Sequence, residues 1–149
     1  MKKILYLFLV FGFFACSNES ADDDTNNNDP IIGTWSFYYG EITGSDGIWS
    51  GEYIGGNSFS LFKADGSYSY TDPSYPSDNY EGLWVNIGSN TYQVTQVGGN
   101  GDGDWEEEFE FYCNNNIKRW AIGSTTEVDY YHKIGYNYSD CNEFDYLSN

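Results

Sequence analysis

From residue 34 onward, stretches of alternating apolar and polar side chains recur at short intervals, with turn residues between them. Trp35, Phe37 and Tyr39 alternate with Thr34, Ser36 and Tyr38. Residues 58–62 and 67–71 flank Lys63-Ala64-Asp65-Gly66, whose Asp-Gly pair suits a tight hairpin turn. Residues 82–87 and 91–97 flank Gly88-Ser89-Asn90, residues 105–113 and 117–122 flank Asn114-Asn115-Asn116, and residues 127–134 form the last strong segment. A period of two predicts strands, and no stretch keeps a helical period beyond a turn or two. The expected fold is all-β, with about eight antiparallel strands in an up-and-down barrel. Closure removes unpaired sheet edges, and a barrel of that size either holds one small ligand or is filled by its own side chains.

Alternation assigns Trp35, Phe37, Phe59, Leu61, Tyr68, Tyr70, Leu83, Val85, Tyr92, Val94, Phe109, Phe111, Val128, Tyr130 and Ile134 to interior faces. Among these, Trp35, Tyr68, Tyr92, Phe109, Phe111 and Tyr130 are the candidates for lining a ligand site. Residues 41–57 are rich in glycine and read as a long loop, with room for a short strand over 50–54. The tail after residue 134 is rich in Tyr and Asn and has no clear pattern.

Composition narrows the partners. Six basic residues against 23 acidic ones give a formal charge of −17, which repels nucleic acid and anionic lipid head groups. Aromatic residues make up 20% of the chain, enough to build a core.

Candidate chemical sites are sparse. Gly98-Gly99-Asn100-Gly101-Asp102-Gly103-Asp104 is acidic and Gly-rich, as calcium loops are. Counted as a twelve-residue calcium loop from Asn100, however, it has Trp105 where Gly is needed and Phe111 where Glu is needed. It reads as a solvated turn, and no metal is expected. Glu106, Glu108 and Glu110 fall on a solvated face, while Glu107 points with Phe109. His132 is the single histidine, too few ligands stand near it for zinc, and no Gly-x-Ser-x-Gly is present. No cofactor and no catalysis are expected.

The N-terminus supplies the address. Met1-Lys2-Lys3 precedes an apolar run ending at Ala15-Cys16. That run is about twelve residues, short of the roughly twenty needed to span a bilayer, and it reads as a signal peptide. Phe13-Phe14-Ala15-Cys16 resembles the lipobox of bacterial lipoproteins, in which the leader is cut before a diacylated cysteine. Ala15 fits the small position, whereas Phe13 and Phe14 depart from the usual Leu and small residue. The resemblance implies a signal peptide over residues 1–15 and a lipid on Cys16. Residues 16–30 are then a flexible acidic tether, and residues 31–149 the folded domain. The location implied is the cell envelope, with the outer membrane as the anchoring surface. Outside the cytoplasm, the two remaining cysteines, Cys113 and Cys141, are expected to pair.

Gly33-Thr34-Trp35 at the start of the first strand is similar to the Gly-x-Trp of lipocalins. The hairpin around Lys63-Ala64-Asp65-Gly66 and the later Gly82-Leu83-Trp84 resemble small lipocalin-like lipoproteins of Gram-negative bacteria. The resemblance covers residues 31–134. It implies an eight-stranded barrel holding a small apolar molecule, with residues 41–57 as a lid. It also implies an arginine over the motif tryptophan, for which Arg119, the only arginine, is the candidate partner of Trp35. The chain lacks the helix that follows the barrel in many lipocalins. The leading expectation is a lipid-anchored, non-catalytic binder of a small apolar or amphipathic ligand. A glycan- or protein-binding module with outward aromatics, and a structural envelope protein with a filled barrel, stand as alternatives.

Overall fold

In the computed structural model the described residues are 28–44, 47–52, 57–98, 103–122 and 127–143. The predicted leader, Cys16, and most of the tether and of the 98–104 turn lie outside them. Nine strands form one antiparallel sheet: β1 (Gly33–Gly44), β2 (Gly47–Glu52), β3 (Phe59–Phe62), β4 (Ser67–Thr71), β5 (Tyr80–Gly88), β6 (Thr91–Val97), β7 (Gly103–Tyr112), β8 (Ile117–Ile122) and β9 (Glu127–Lys133). No α-helix occurs among the described residues.

The sheet closes on itself, because β9 pairs with β1 over Trp35–Ile42. On its other edge β1 is shared. Its first part pairs with β3 and its last part with β2. The barrel itself therefore has eight strands, and β2 with β3 acts as one interrupted strand. This corrects the expectation of a loop over residues 41–57. Tyr39–Gly44 and Gly47–Glu52 form a hairpin in register, its backbone donors and acceptors paired despite the lack of apolar alternation.

A bulge bends β1 between Phe37 and Tyr39, and Tyr38 is the extra residue. Before the bulge Trp35 faces the interior. After it, Tyr39 lies opposite Tyr130 on the outer face. The protein consequently has two cores. Inside the barrel lie Ile31, Trp35, Phe62, Tyr68, Tyr92, Val94 and Phe109. Outside it, Tyr38, Tyr39, Ile117, Val128 and Tyr130 are buried with Cys113 and Cys141. The cover there is the C-terminal tail, with Tyr136 and Tyr138 packed on this cluster and Tyr138 stacked on Tyr38 at 4.0 Å.

The outer core explains several departures from the alternation pattern. Val128 and Tyr130 are buried, but under the tail, and Asp129 and Tyr131 face inward in their place. Ile134 lies just past β9 and is exposed. On β5 the phase is also reversed. Leu83 and Val85 are exposed, while Trp84 packs on the inner core. Four of the five residues from Leu83 to Ile87 are apolar, so volume decides the phase, and the largest side chain goes inside. The inward position before it is Gly82, where a Cβ would meet the Thr95 carbonyl oxygen. On β3 the interior residues are Ser60 and Phe62, opposite Trp35 and Gly33, so Phe59 and Leu61 are half-buried on the outside.

Cys113 and Cys141 sit at disulfide distance, Cα–Cα 5.6 Å, 28 residues apart. The bond ties the tail to the β7–β8 turn. A constraint of that length is worth about 3 kcal/mol in the chain-entropy account. Cys141→Ser is therefore expected to lower unfolding free energy by about 3 kcal/mol in urea titration. It should also expose the tail to protease while the barrel stays folded.

Candidate functional site

One end of the barrel is sealed. The segment before β1 crosses it, and Ile31 and Trp35 are fully buried there. Asp29 is the anchor. Its Oδ1 accepts from the Ile31 backbone N–H at 3.0 Å and the Tyr92 hydroxyl at 2.7 Å. Its Oδ2 accepts from Asn86 Nδ2 at 2.8 Å. The Trp35 indole N–H donates to the Ile31 carbonyl at 2.6 Å. Asp29 and Pro30, expected in the tether, thus belong to the fold.

The other end opens on a cavity of about 690 Å³. It lies where β4 and β6 end and β5, β7 and β9 begin, so that Asp72, Gln96 and Glu127 mark its mouth. Its walls are aromatic: Phe37, Tyr70, Tyr80, Trp105, Trp120 and Tyr131. Many of these rings brace one another, as Tyr70 and Tyr80 do in a stack at 5.3 Å. Phe62, Tyr68, Phe109 and Lys118 form the deeper wall toward the sealed end.

Of the six expected ligand contacts, Tyr68 and Phe109 line this cavity. Trp35, Tyr92 and Phe111 face the same interior but lie toward the sealed end, packed together beneath the cavity. Tyr130 is on the outer face and contributes nothing to the cavity. Gly33 takes φ of +141°, in register with Phe62 and close to Lys133.

The expected pairing of Arg119 with Trp35 is corrected. Arg119 points outward and binds Glu110 at 3.0 Å. The cations over the Trp35 ring are Lys133, at 5.1 Å, and Lys118, at 5.4 Å. Neighbours on a strand face opposite sides, so Lys118 inward obliges Arg119 outward. His132 also faces outward, its Nδ1 3.2 Å from the Lys133 carbonyl, edge-on to Tyr38 and Tyr138.

Lys118 is the least expected resident. Its side chain is 3% exposed, and Nζ lies 4.1 Å from the Phe109 ring, 4.7 Å from Tyr131 and 4.9 Å from Phe62. Burial pulls its pKa from the usual 10.5 down to about 7, with the Glu107 charge opposing the shift. Glu107 reaches into the cavity as its phase with Phe109 predicts, and it accepts from the Trp105 indole N–H at 2.8 Å. Burial raises its pKa, while the Lys118 charge and that hydrogen bond lower it. Asp129 is raised to about 6, first by burial and then by the charge of Glu127. Glu106, Glu108 and Glu110 are exposed on the outside, as alternation predicts.

Sequence reasoning missed Lys118, Asp129 and Tyr131 as cavity residues. The available signal was the strict phase of β8 against Phe109 and Phe111, which places Trp120 and Lys118 on their face. No group of three or more metal-ligating side chains comes together among the described residues. No known protein family, curated protein or solved structure matches the chain.

Proposed function

We propose that this protein is a lipid-anchored, extracytoplasmic barrel that binds a small amphipathic or apolar molecule without catalysing a reaction. The observation that carries the reading is the cavity of about 690 Å³, open at one end, aromatic-walled, and closed at the other end by the segment around Asp29. That volume falls in the usual range for small-molecule sites. Its lining mixes aromatic rings with ionisable groups, Lys118, Glu107 and Asp129 among them, which suits a ligand with both apolar and polar parts. The closed eight-stranded barrel agrees with the lipocalin resemblance of Gly33-Thr34-Trp35, and the lipobox-like Phe13-Phe14-Ala15-Cys16 supports the anchor.

The anchor and the cavity fit together geometrically. The chain arriving from Cys16 enters the fold at Asp29, on the sealed end. A lipid on Cys16 would then hold the domain from its sealed end and leave the mouth clear of the point of attachment. The negative charge of the chain keeps the domain off anionic head groups and suits that posture.

Native mass spectrometry tests the binding reading. The purified protein is exposed to a total lipid extract and, separately, to a glycan pool. Retention of one apolar or amphipathic molecule per chain is expected. Retention of glycan alone, or of nothing, overturns the proposal.

A further inference from the structure

We infer that Lys118 is a carbonyl-capturing amine, whose Nζ condenses with an aldehyde or ketone on a ligand in the barrel cavity to form an imine. The inference rests on the cavity being a ligand site and specifies the ligand's chemical class.

Three observations converge on it. First, Lys118 is 3% exposed, yet it lines the cavity, so its surroundings are protein and the cavity itself. Secondly, Nζ has no hydrogen bond or ion pair among the described residues, and its neighbours are the faces of Trp35, Phe62, Phe109 and Tyr131. The Glu107 charge reaches it, but no carboxylate or carbonyl oxygen binds it directly, as one would bind a lysine that served only structure at this depth. Thirdly, the cavity lacks the character of an anion site. Four carboxyl groups, Asp72, Glu107, Glu127 and Asp129, share it with this one amine, and each of them that is ionised repels a ligand carboxylate. A neutral electrophile avoids that repulsion.

The state of the amine agrees. With a pKa of about 7, a large fraction of Lys118 carries a free lone pair at neutral pH, whereas an ordinary lysine is almost wholly protonated. The Nζ lone pair attacks the carbonyl carbon, and the carbonyl π electrons move to oxygen. A proton passes from nitrogen to that oxygen, giving a carbinolamine. The nitrogen lone pair then expels the hydroxyl, which leaves as water after taking a proton, and the C=N bond forms as an iminium; return of its N–H proton to the donor gives the neutral imine. Glu107 faces the same cavity from the adjacent strand, its pKa raised by burial, and its carboxyl is the group placed to pass that proton. Condensation consumes no oxidant or reductant.

The test uses the full-length protein in detergent with cinnamaldehyde and sodium cyanoborohydride near pH 7, followed by peptide mapping. The expected result is a reduced adduct on Lys118, formed about tenfold or more faster than on the exposed Lys63. Lys118→Met should abolish that adduct with the circular dichroism spectrum unchanged, and Lys63→Arg should leave it in place. Should Lys118→Met fail to fold, Lys63→Arg with site mapping of the native chain still decides the matter. Labelling of Lys63 and Lys133 at the rate of Lys118, or none at Lys118, overturns the inference. Cinnamyl alcohol, which lacks the carbonyl, separates the two levels of the claim. If native mass spectrometry shows the alcohol retained while Lys118 stays unlabelled, the imine is wrong and the ligand site stands. If neither compound is retained, both fail.

Discussion

Asp29→Ala lowers the unfolding free energy by about 4 kcal/mol. The carboxylate accepts from the Ile31 N–H, the Tyr92 hydroxyl and Asn86 Nδ2, at 3.0, 2.7 and 2.8 Å. Hydrogen bonds to a charged group are worth about 1.5–3 kcal/mol each, and three such bonds on one side chain are not additive. Alanine also strands the buried Tyr92 hydroxyl and the buried Ile31 N–H. The seal then loosens around Trp35, whose indole bond to the Ile31 carbonyl depends on the same segment. Asp29→Asn keeps acceptor capacity on one oxygen and should lose about half as much. Urea titration followed by tryptophan fluorescence reads both effects. A loss below about 1 kcal/mol for Asp29→Ala would show that the segment is not a seal.

Lys118→Met is expected to work in the opposite direction and stabilise the protein by about 3 kcal/mol at pH 7. A drop in pKa from 10.5 to about 7 sets a ceiling of about 5 kcal/mol for keeping the ammonium in the barrel. Contact with several aromatic faces returns about 2 kcal/mol of that. Methionine keeps the length and apolar character of the stem and removes the charge. The pH dependence gives the sign independently. Between pH 7 and 10.5 the unfolded chain binds a proton at this lysine that the folded chain does not, so wild-type stability gains from this group as pH rises through that window. Below pH 7 both states hold the proton, and the penalty is constant. Buried tyrosines with raised pKa values, such as Tyr80 and Tyr131, act against stability at the alkaline end in both proteins. The difference between wild type and variant isolates Lys118. That difference should be largest near pH 7 and vanish near pH 10.5. A variant less stable than wild type at pH 7 would mean that the amine has a partner holding it in place. Stability gained together with carbonyl capture lost is the usual exchange at a functional group held in an unfavourable setting.

Much of the barrel was legible because its strands are bounded by residues that can do little else. The Asp65-Gly66 turn, with Gly66 at φ +80°, and the left-handed Asn114 and Asn115 lie where the turn chemistry put them. Side-chain phase was legible only where one face alone is buried. On β4, β6 and β7 it was read correctly, and Glu107 went inward with Phe109. On β9 it was inverted, since the tail covers the outside and makes Val128 and Tyr130 apolar for a different core. Nothing local in residues 127–134 announces a cover supplied by residues 136–141.

The site was less legible than the fold for related reasons. Trp35, Tyr92 and Phe111 are the large inward aromatics a pattern reader would choose, but size is what places them in the packed floor. The charged cavity residues Lys118, Glu107 and Asp129 carry no compositional signal in an acidic chain. Their importance comes from burial, which only the closed sheet creates. Asp29 was read with the acidic run before it, and what distinguishes it is contact with residues 57 and 63 positions later.

Titration with the environment-sensitive fluorophore N-phenyl-1-naphthylamine reads whether the barrel interior is a ligand site. Ser60 lines the cavity and accepts from the Tyr68 hydroxyl, so Ser60→Trp fills the space without touching the mouth. Saturable, one-site fluorescence enhancement is expected in the wild type, with affinity weakened by about tenfold or more in Ser60→Trp. No enhancement, or equal enhancement in the two proteins, would contradict it.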